Sequence, residues 1–174
     1  MRKVILYIAM TLDGMIADSN DGLSFLEPYD GVALVKESYD VLLKAIDTIL
    51  MGRRTYEVIT SLNVPWPYQG YQCYVYGQKK FDSNHVMNIN FDVSRHVLEL
   101  KNQMGKDIWL VGGGKLVQAL LESNLIDQMI ITIIPTILGA GIPLFLPISH
   151  MQAFNLVSVQ SEAGLAILTY HKHH

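Results

Sequence analysis

The sequence predicts an α/β fold with a largely parallel central sheet and an antiparallel end. Short apolar runs alternate with segments of helical periodicity along most of the 174 residues, and this alternation is typical of parallel sheets. Two strand-like runs, near 154–162 and 165–171, close the chain, and the Ala163-Gly164 pair between them suits a hairpin turn. The sequence contains no repeat, linker or low-complexity segment, so we expect one domain spanning residues 1–174.

The first half of the chain is predicted to contain three strands separated by helices and loops. In the first helical segment, apolar residues recur at intervals of three and four, which is the spacing of one helix face. Prolines and a glycine interrupt the segment before the third strand. The predicted elements are a strand at 3–10, a loop at 18–31, a helix at 32–46, a strand at 48–52, a helix at 53–62, a loop at 64–71 and a strand at 73–77.

The second half repeats the pattern before the chain reaches its hairpin. Ser94 is predicted to cap a helix that runs to about Met104. A glycine- and proline-rich loop, "ILGAGIPLFLP", precedes the last two strands. The other predicted elements are strands at 85–89, 107–111 and 126–135 and a helix at 114–123.

Composition and charge exclude several classes of function. The formal net charge of −3 gives no basic excess for nucleic-acid binding, and the most apolar internal run, Met129–Leu138, is far shorter than the roughly 20 residues of a membrane span. The N-terminal run also suits a signal peptide, but it is short and Asp13-Gly14 follows at once. We therefore expect a buried first strand in a cytoplasmic protein. The single cysteine, Cys73, excludes an internal disulfide and is expected to be a buried packing residue.

Three consecutive glycines stand where a predicted strand meets a predicted helix, in "LVGGGKLVQALL" (110–121). A helix start presents unpaired N–H groups and the positive end of the helix dipole, and glycine lets a large anion approach them closely. Gly112, Gly113, Gly114 and Lys115 therefore predict a phosphate-binding turn. The alternative is a tight turn that needs positive φ. The motif is not a Walker loop, because Leu116 follows the lysine instead of serine or threonine.

A second junction of the same kind occurs in "LMGRRTYE" (50–57). Arg53 and Arg54 lie in the first turn of the predicted helix, where the dipole disfavours cations unless an anion offsets them. Guanidinium groups bind phosphate through a bidentate fork, and the hydroxyl of Thr55 adds a donor. The alternative is two solvated arginines on a surface helix. Two separate anion sites favour a ligand with two separated phosphate groups, and NADPH has this chemistry.

Four segments together resemble the dihydrofolate reductase superfamily, and more closely its branch of riboflavin-biosynthesis reductase C-terminal domains. They are, in order, "AMTLDGMIA" (9–17), "ILMGRRTYE" (49–57), "DIWLVGGGKLVQALLESNLID" (107–127) and "PTILGAGIPLF" (135–145). The resemblance implies a dihydrofolate reductase-like three-layer fold, with helices on both faces of an eight-stranded sheet and NADPH across its C-terminal edge. It also implies a homodimer.

The resemblance implies site residues by match to the family's motifs. Ile59 is implied to line the substrate cleft, with Ala9 and Ile16 beside the nicotinamide. The residues implied to contact NADPH are Ala9, Ile16, Arg53, Arg54, Thr55, Gly77, Gln78, Val111, Gly112, Gly113, Gly114, Lys115 and Leu116.

Further candidates for the substrate site come from the residues themselves. Asp13 follows the first strand and is a candidate for orienting substrate or donating a proton through water, but Asp13-Gly14 equally suits a simple turn. Trp66 and Tyr68 are candidates to cover the pocket, with surface loop packing as the alternative. Thr132 lies in a predicted strand among isoleucines, where its hydroxyl either faces the cleft or bonds locally.

These observations predict an NADPH-dependent reductase that transfers a hydride to a C=N or C=O carbon of a small pterin- or pyrimidine-like substrate. The resemblance covers reductases of dihydrofolate and of 5-amino-6-(5-phosphoribosylamino)uracil. Residues 24–40 contain four acids, so the sequence does not single out one for either substrate. The alternative is a nucleotide-binding module without turnover, which would lack a carboxylate near the nicotinamide. A hydrolase or a metal site is not expected, because G-x-S-x-G and H-E-x-x-H motifs are absent.

Overall fold

Eight strands form one sheet in the computed structural model, which describes residues 1–62, 64–78 and 83–173. The sheet order is β5-β4-β3-β6-β1-β7-β10-β9, and β2 pairs with β8 in a separate two-stranded ribbon. The strands are β1 (Val4–Thr11), β2 (Met15–Ala17), β3 (Ile46–Gly52), β4 (Gln72–Tyr76), β5 (Met87–Ile89), β6 (Asp107–Gly112), β7 (Gln128–Ile134), β8 (Ile142–Pro143), β9 (Phe154–Glu162) and β10 (Leu165–Lys172). The helices are α1 (Ala33–Ala45), α2 (Arg53–Ser61), α3 (Val93–Asn102) and α4 (Gly114–Glu122), with a 3₁₀ helix at Ser24–Tyr29.

The sheet is parallel from β5 to β7 and antiparallel at its other end, as the sequence predicts. All pairings among β5, β4, β3, β6, β1 and β7 are parallel, whereas β10 runs antiparallel to both of its neighbours. Ala163 and Gly164 both adopt positive φ, of 53° and 85°, in the turn between β9 and β10. The hairpin prediction is therefore confirmed.

Side-chain alternation along the strands produces two hydrophobic cores, one on each face of the sheet. Leu6 and Leu110 pack with α3 and α4, and this side is called the α3/α4 face. Ile5 and Trp109, their neighbours in sequence, pack on the other side with Leu42 of α1 and residues of α2, and this side is called the α1/α2 face. Because strand side chains alternate with a period of two, apolar runs such as 3–10 supply both cores. The predicted three-layer arrangement is confirmed.

Several local features differ from the predictions. The cap of α3 is Asp92 rather than Ser94, because the Asp92 carboxylate accepts hydrogen bonds from the amides of Ser94 (2.9 Å) and Arg95 (3.1 Å). The Ser94 hydroxyl instead contacts the hydroxyl of Ser123 at 2.5 Å. The predicted loop 18–31 contains the 3₁₀ helix.

The structure also bears on the burial of Cys73 and on the length of the apolar helices. Cys73 is buried in β4, as predicted, and burial raises the pKa of its thiol to about 11. None of the helices in the described parts of the chain is long and apolar enough to cross a bilayer.

Candidate functional site

A cavity of about 950 Å³ opens at the carboxyl ends of the central strands. Ala9 of β1, Gly52 of β3, Tyr76 of β4 and Val111 of β6 all line it. The carboxyl ends of parallel strands meet at one edge of a sheet, and ligands of open α/β sheets bind in the crevice at that edge. Its size suits a ligand larger than a single small metabolite.

Two helices begin at this cavity, and both begin at glycine. Gly52 is the N-cap of α2 and Gly113 is the N-cap of α4, and neither helix has a side-chain cap among the described residues. By contrast, Asp92 caps α3, and Glu162 accepts a hydrogen bond from the Leu34 amide in the first turn of α1 at 2.7 Å. The first amides of α2 and α4 have no acceptor within their own helices. Both cavity-facing helix starts are therefore suited to an external anion.

The three glycines of the second junction have different structural roles. Gly112 has φ of +123°, so the turn alternative holds for this residue. A Cβ on Gly114 would lie 2.6 Å from the Pro143 carbonyl oxygen, so this glycine allows a close backbone approach. A Cβ on Gly113 would lie 3.7 Å from Thr55 Oγ1, at an ordinary contact distance within the cavity lining. Only the bare backbone of Gly113 remains to be explained by a ligand.

Both arginines of the first junction line the cavity, and both have carboxylate partners. Arg53 Nε lies 2.6 Å from Glu57 Oε1, and Arg54 Nε lies 2.5 Å from Asp21 Oδ1. The hydrogen bond and charge of Asp21 raise the pKa of the Arg54 guanidinium. The carboxylates of Glu57 and Asp21 therefore balance part of the positive charge at the start of α2. Asp21 is the only acid among the described residues of the cavity lining.

The cavity extends across the sheet edge from one face to the other. Its end on the α3/α4 face is lined by residues that include Tyr76 and Leu116, and its end on the α1/α2 face by residues that include Ile59 and Tyr68. The Tyr76 hydroxyl lies 2.8 Å from His96 Nδ1. Burial raises the pKa of Tyr76 and lowers the pKa of His96, so a neutral imidazole accepts this hydrogen bond.

Most of the sequence-predicted site residues lie together in this lining. The structure brings together Ala9, Ile16, Arg53, Arg54, Thr55, Ile59, Gly77, Gln78, Val111, Gly113, Gly114, Lys115 and Leu116. Gly112, Asp13, Trp66 and Thr132 are outside the set of lining residues.

Asp13 serves the turn rather than the cavity. Its carboxylate accepts hydrogen bonds from the Thr11 hydroxyl (2.5 Å) and from the amides of Leu138 (3.2 Å) and Gly139 (2.8 Å). These hydrogen bonds, that of Thr11 above all, lower the pKa of Asp13. The carboxylate therefore ties the end of β1 to the loop after β7, and an ionised acid is a poor proton donor.

Trp66 and Thr132 also lie outside the cavity lining. The Trp66 ring stacks on His85 (centroids 5.8 Å apart) and meets the edge of Tyr68 at 5.2 Å, so it supports the cavity wall from outside. Thr132 lies in β7 opposite Ala9 of β1 and is 5% exposed. Thr132 is enclosed between β1 and β10 and does not line the cavity.

Tyr76 and Asp21 are among the lining residues that the sequence analysis does not predict. Tyr76 precedes Gly77 at a strand end, and this position was a usable signal for a cavity residue. Asp21 lies in a predicted loop, and only the fold brings it to Arg54. No local pattern marks it as a site residue.

The sheet order, with the cavity across its carboxyl edge, defines a dihydrofolate reductase-like fold. The structure superposes on dihydrofolate reductase from Enterococcus faecalis complexed with NADP(H) and RAB-propyl with a TM-score of 0.71 and 17% identity, covering 99% of this chain and 97% of that one. It superposes on the diaminohydroxyphosphoribosylaminopyrimidine deaminase/5-amino-6-(5-phosphoribosylamino)uracil reductase of Thermotoga maritima with a TM-score of 0.73 and 16% identity, covering 99% of this chain and 57% of that one. At these identities the likeness shows a shared fold and no more.

Sequence relatives identify the family within this fold. The RibD C-terminal domain matches residues 71–164, so the chain belongs to the RibD C-terminal domain family. YwjB of Bacillus subtilis, an uncharacterised protein, is 38% identical over 146 residues, which cover 83% of each chain. YyaP of the same organism, also uncharacterised, is 29% identical over 185 residues, covering 98% of this chain and 95% of YyaP. A protein of Shewanella sp. PV-4 described as a riboflavin biosynthesis protein superposes with a TM-score of 0.90 and 27% identity, covering 99% of both chains.

Proposed function

We propose that this protein is an NADPH-dependent reductase that transfers a hydride to a small planar substrate. The observation that carries the proposal is the pair of uncapped helix starts, at Gly52 and Gly113, that face one cavity. The cavity lining also contains three cations, Arg53, Arg54 and Lys115, against one acid. Such an arrangement favours a ligand with more than one anionic group.

The residues of the cavity fit NADPH. The first amides of α4 and Lys115 are suited to the pyrophosphate, and Arg53 and Arg54 to the phosphates of the adenosine half. Gly113 keeps the approach to the helix start free of a side chain. The Enterococcus faecalis reductase, which has the same fold, forms its complex with NADP(H). NADPH, when bound, supplies the hydride.

The protein's own contribution is positioning and the exclusion of water. Ala9 and Val111 lie at the ends of neighbouring strands, so the sheet holds the centre of the cavity rigidly. Ile59, which packs on the α1/α2 face, makes that end of the cavity apolar. This end is suited to a flat substrate ring.

Calorimetric titration with NADPH and NADH tests the proposed cofactor. We expect the native protein to bind NADPH at least about tenfold more tightly than NADH, because charge-assisted bonds to one phosphate contribute about 1.5–3 kcal/mol. Arg53→Ala/Arg54→Ala is expected to erase this difference while leaving the fold intact, since both ion pairs are at least partly exposed.

The control for this experiment removes two cations elsewhere. Arg95 and Lys36 are exposed and lie outside the cavity lining, so Arg95→Ala/Lys36→Ala has the same net charge as the test variant. It is expected to retain the preference for NADPH. Absence of binding of either dinucleotide at millimolar concentration would refute the proposed cofactor.

Asp21→Asn is expected to tighten NADPH binding by about two- to fivefold. The Asp21 carboxylate competes with the ligand for Arg54, and the expected gain is small because solvent screens an exposed ion pair. The measurement is the dissociation constant of NADPH at low and moderate salt.

Glu99→Gln is the matched control for Asp21→Asn. Glu99 pairs with Arg95 at 3.1 Å on α3, so this variant has the same net charge but frees no arginine in the cavity. Equal tightening by both variants would show a general charge effect and contradict the competition.

A nucleotide-binding module without turnover is the second candidate function. The observation that favours it is the cavity lining, in which Asp21 is the only acid among the described residues and is paired with Arg54. Binding of NADPH without oxidation in the presence of any carbonyl or imine substrate would support this candidate. The homodimer and the cytoplasmic location stay predictions from the sequence.

A further inference from the structure

Tyr68 has a hydroxyl group that no residue in the described part of the chain uses. The residue is 8% exposed and lines the cavity, yet its hydroxyl makes no hydrogen bond to any described residue. Tyr71, three positions later, donates to the Leu43 carbonyl at 3.1 Å. The Tyr76 hydroxyl is bound to His96. Tyr68 therefore differs from its neighbours in having a buried donor without a protein acceptor.

Because no described residue uses this hydroxyl, it is available to bind a ligand in the cavity. The fully enclosed side-chain atoms without a partner in the described chain are Asn88 Oδ1 and Gln152 Oε1. The Tyr68 oxygen is not among them, so it is not fully enclosed, and the residue that carries it lines the cavity. The ring is held edge-on by Trp66 and Trp109, with centroids 5.2 and 5.4 Å away. The hydroxyl is therefore held in one place.

The surroundings of Tyr68 indicate the kind of acceptor that it meets. Leu26, Val58 and Ile59 line the same cavity without a charge, and the one acid of the described lining, Asp21, is already paired. Burial raises the pKa of Tyr68, so the phenol stays protonated and remains a donor. Arg53, Arg54 and Lys115 of the same lining are assigned to the phosphates of NADPH in the proposed function. The apolar end that remains for a substrate, with one fixed donor, is suited to a flat, uncharged ring that carries an acceptor.

We propose that Tyr68 donates a hydrogen bond to the carbonyl oxygen or imine nitrogen of an uncharged planar substrate and protonates that atom during reduction. The proposal rests on the proposed reductase function, which supplies the hydride. For a ketone, the carbonyl carbon gains the hydride and the π electron pair moves to oxygen. The Tyr68 O–H bond then breaks as the new O–H bond forms, and the tyrosinate takes a proton from water. The sum is one ketone, one NADPH and one proton converted to one alcohol and one NADP⁺.

Isatin, an uncharged planar ring with a reducible ketone, is the probe. Titration into the NADP⁺-saturated protein is expected to show binding that Tyr68→Phe weakens at least about tenfold, because the carbonyl loses its donor. The affinity for NADPH is expected to be unchanged within about twofold. The melting temperature is expected not to fall, since the substitution removes no hydrogen bond to a described residue. Isatin-5-sulfonate, the same ring with a charge, is expected to bind more weakly than isatin to the native protein.

Tyr71→Phe is the matched control. It removes a hydroxyl from the same loop, outside the cavity, and breaks the bond to Leu43. We expect a lower melting temperature with unchanged isatin binding, which is the opposite pattern to Tyr68→Phe. With NADPH present, turnover of isatin by Tyr68→Phe is expected to fall about a hundredfold in kcat, the size of a lost proton donor.

The outcomes separate this proposal from the proposed function. If NADPH binds but Tyr68→Phe affects isatin no more than Tyr71→Phe does, the role of Tyr68 is refuted and the cofactor stands. If NADPH binds and isatin does not, or if the sulfonate binds equally well, the uncharged substrate class is refuted. If NADPH itself does not bind, the reductase function fails first.

Discussion

Replacing Gly114 with alanine is expected to lower the free energy of unfolding by about 2–3 kcal/mol. The new Cβ would lie 2.6 Å from the carbonyl oxygen of Pro143 and 3.1 Å from that of Leu144. Both atoms belong to the backbone, so relief requires that the chain at β8 move away from the start of α4. Urea denaturation followed by circular dichroism measures the loss.

Gly113→Ala separates this packing role from ligand binding. Its Cβ would lie 3.7 Å from Thr55 Oγ1 and 3.9 Å from Ile16 Cδ1, both ordinary contacts, so we expect a loss of stability below about 1 kcal/mol. The same methyl group would stand in the cavity lining beside the helix start. NADPH binding is therefore expected to weaken at least about tenfold. Unchanged binding in Gly113→Ala would mean that the glycines serve the turn and the packing alone.

The glycines show which part of the site was predictable. A strand end, a bare backbone and a helix start lie within a few residues at Gly113, so their combination is visible in the sequence. The same holds at Gly52. Burial on both faces of the sheet was also visible in the sequence. β1 and β6 are each a nearly continuous apolar run, which is typical of strands covered on both sides.

The remaining features depend on contacts between distant segments. Asp21 meets Arg54 only because the loop after β2 returns to the sheet edge, and Asp13 meets Gly139 across 126 positions. Contacts between residues so far apart in the chain produce no periodic pattern in the sequence. Trp66 and Tyr68 are two positions apart in one loop, and no sequence pattern indicates which of them lines the cavity. Tyr68 packs against Trp109 and lines the cavity, whereas Trp66 packs against Tyr68 and lies outside the lining.

Asp127→Ala is expected to destabilise the protein by about 3 kcal/mol, because it leaves a buried ammonium group without its partner. Asp127 forms an ion pair with Lys101, whose side chain is 7% exposed. It also accepts a hydrogen bond from the Val4 amide at 2.7 Å. Asp127 lies just before β7, and its carboxylate joins the end of α3 to the first residue of β1.

The magnitude follows from what remains after the substitution. Lys101 Nζ keeps only the Leu125 carbonyl among the described residues, at 3.4 Å, and a single long hydrogen bond does not replace a counter-ion. The side chain of Asp127 is 25% exposed, so water offsets part of the loss, and the expected value lies at the low end of about 3–5 kcal/mol. Lys101→Met in the Asp127→Ala background is expected to recover stability, because it removes the stranded charge.

Asp107→Ala is the control at the same end of the sheet. Its carboxylate accepts one exposed hydrogen bond, from the Lys3 amide at 2.8 Å, so its loss is expected to cost about 1 kcal/mol. Urea denaturation at neutral pH compares the three variants. Equal destabilisation by Asp127→Ala and Asp107→Ala would contradict a buried ion pair. Because Val4 begins β1 and the cavity lies at the other end of that strand, NADPH affinity is expected to stay unchanged in every variant that remains folded.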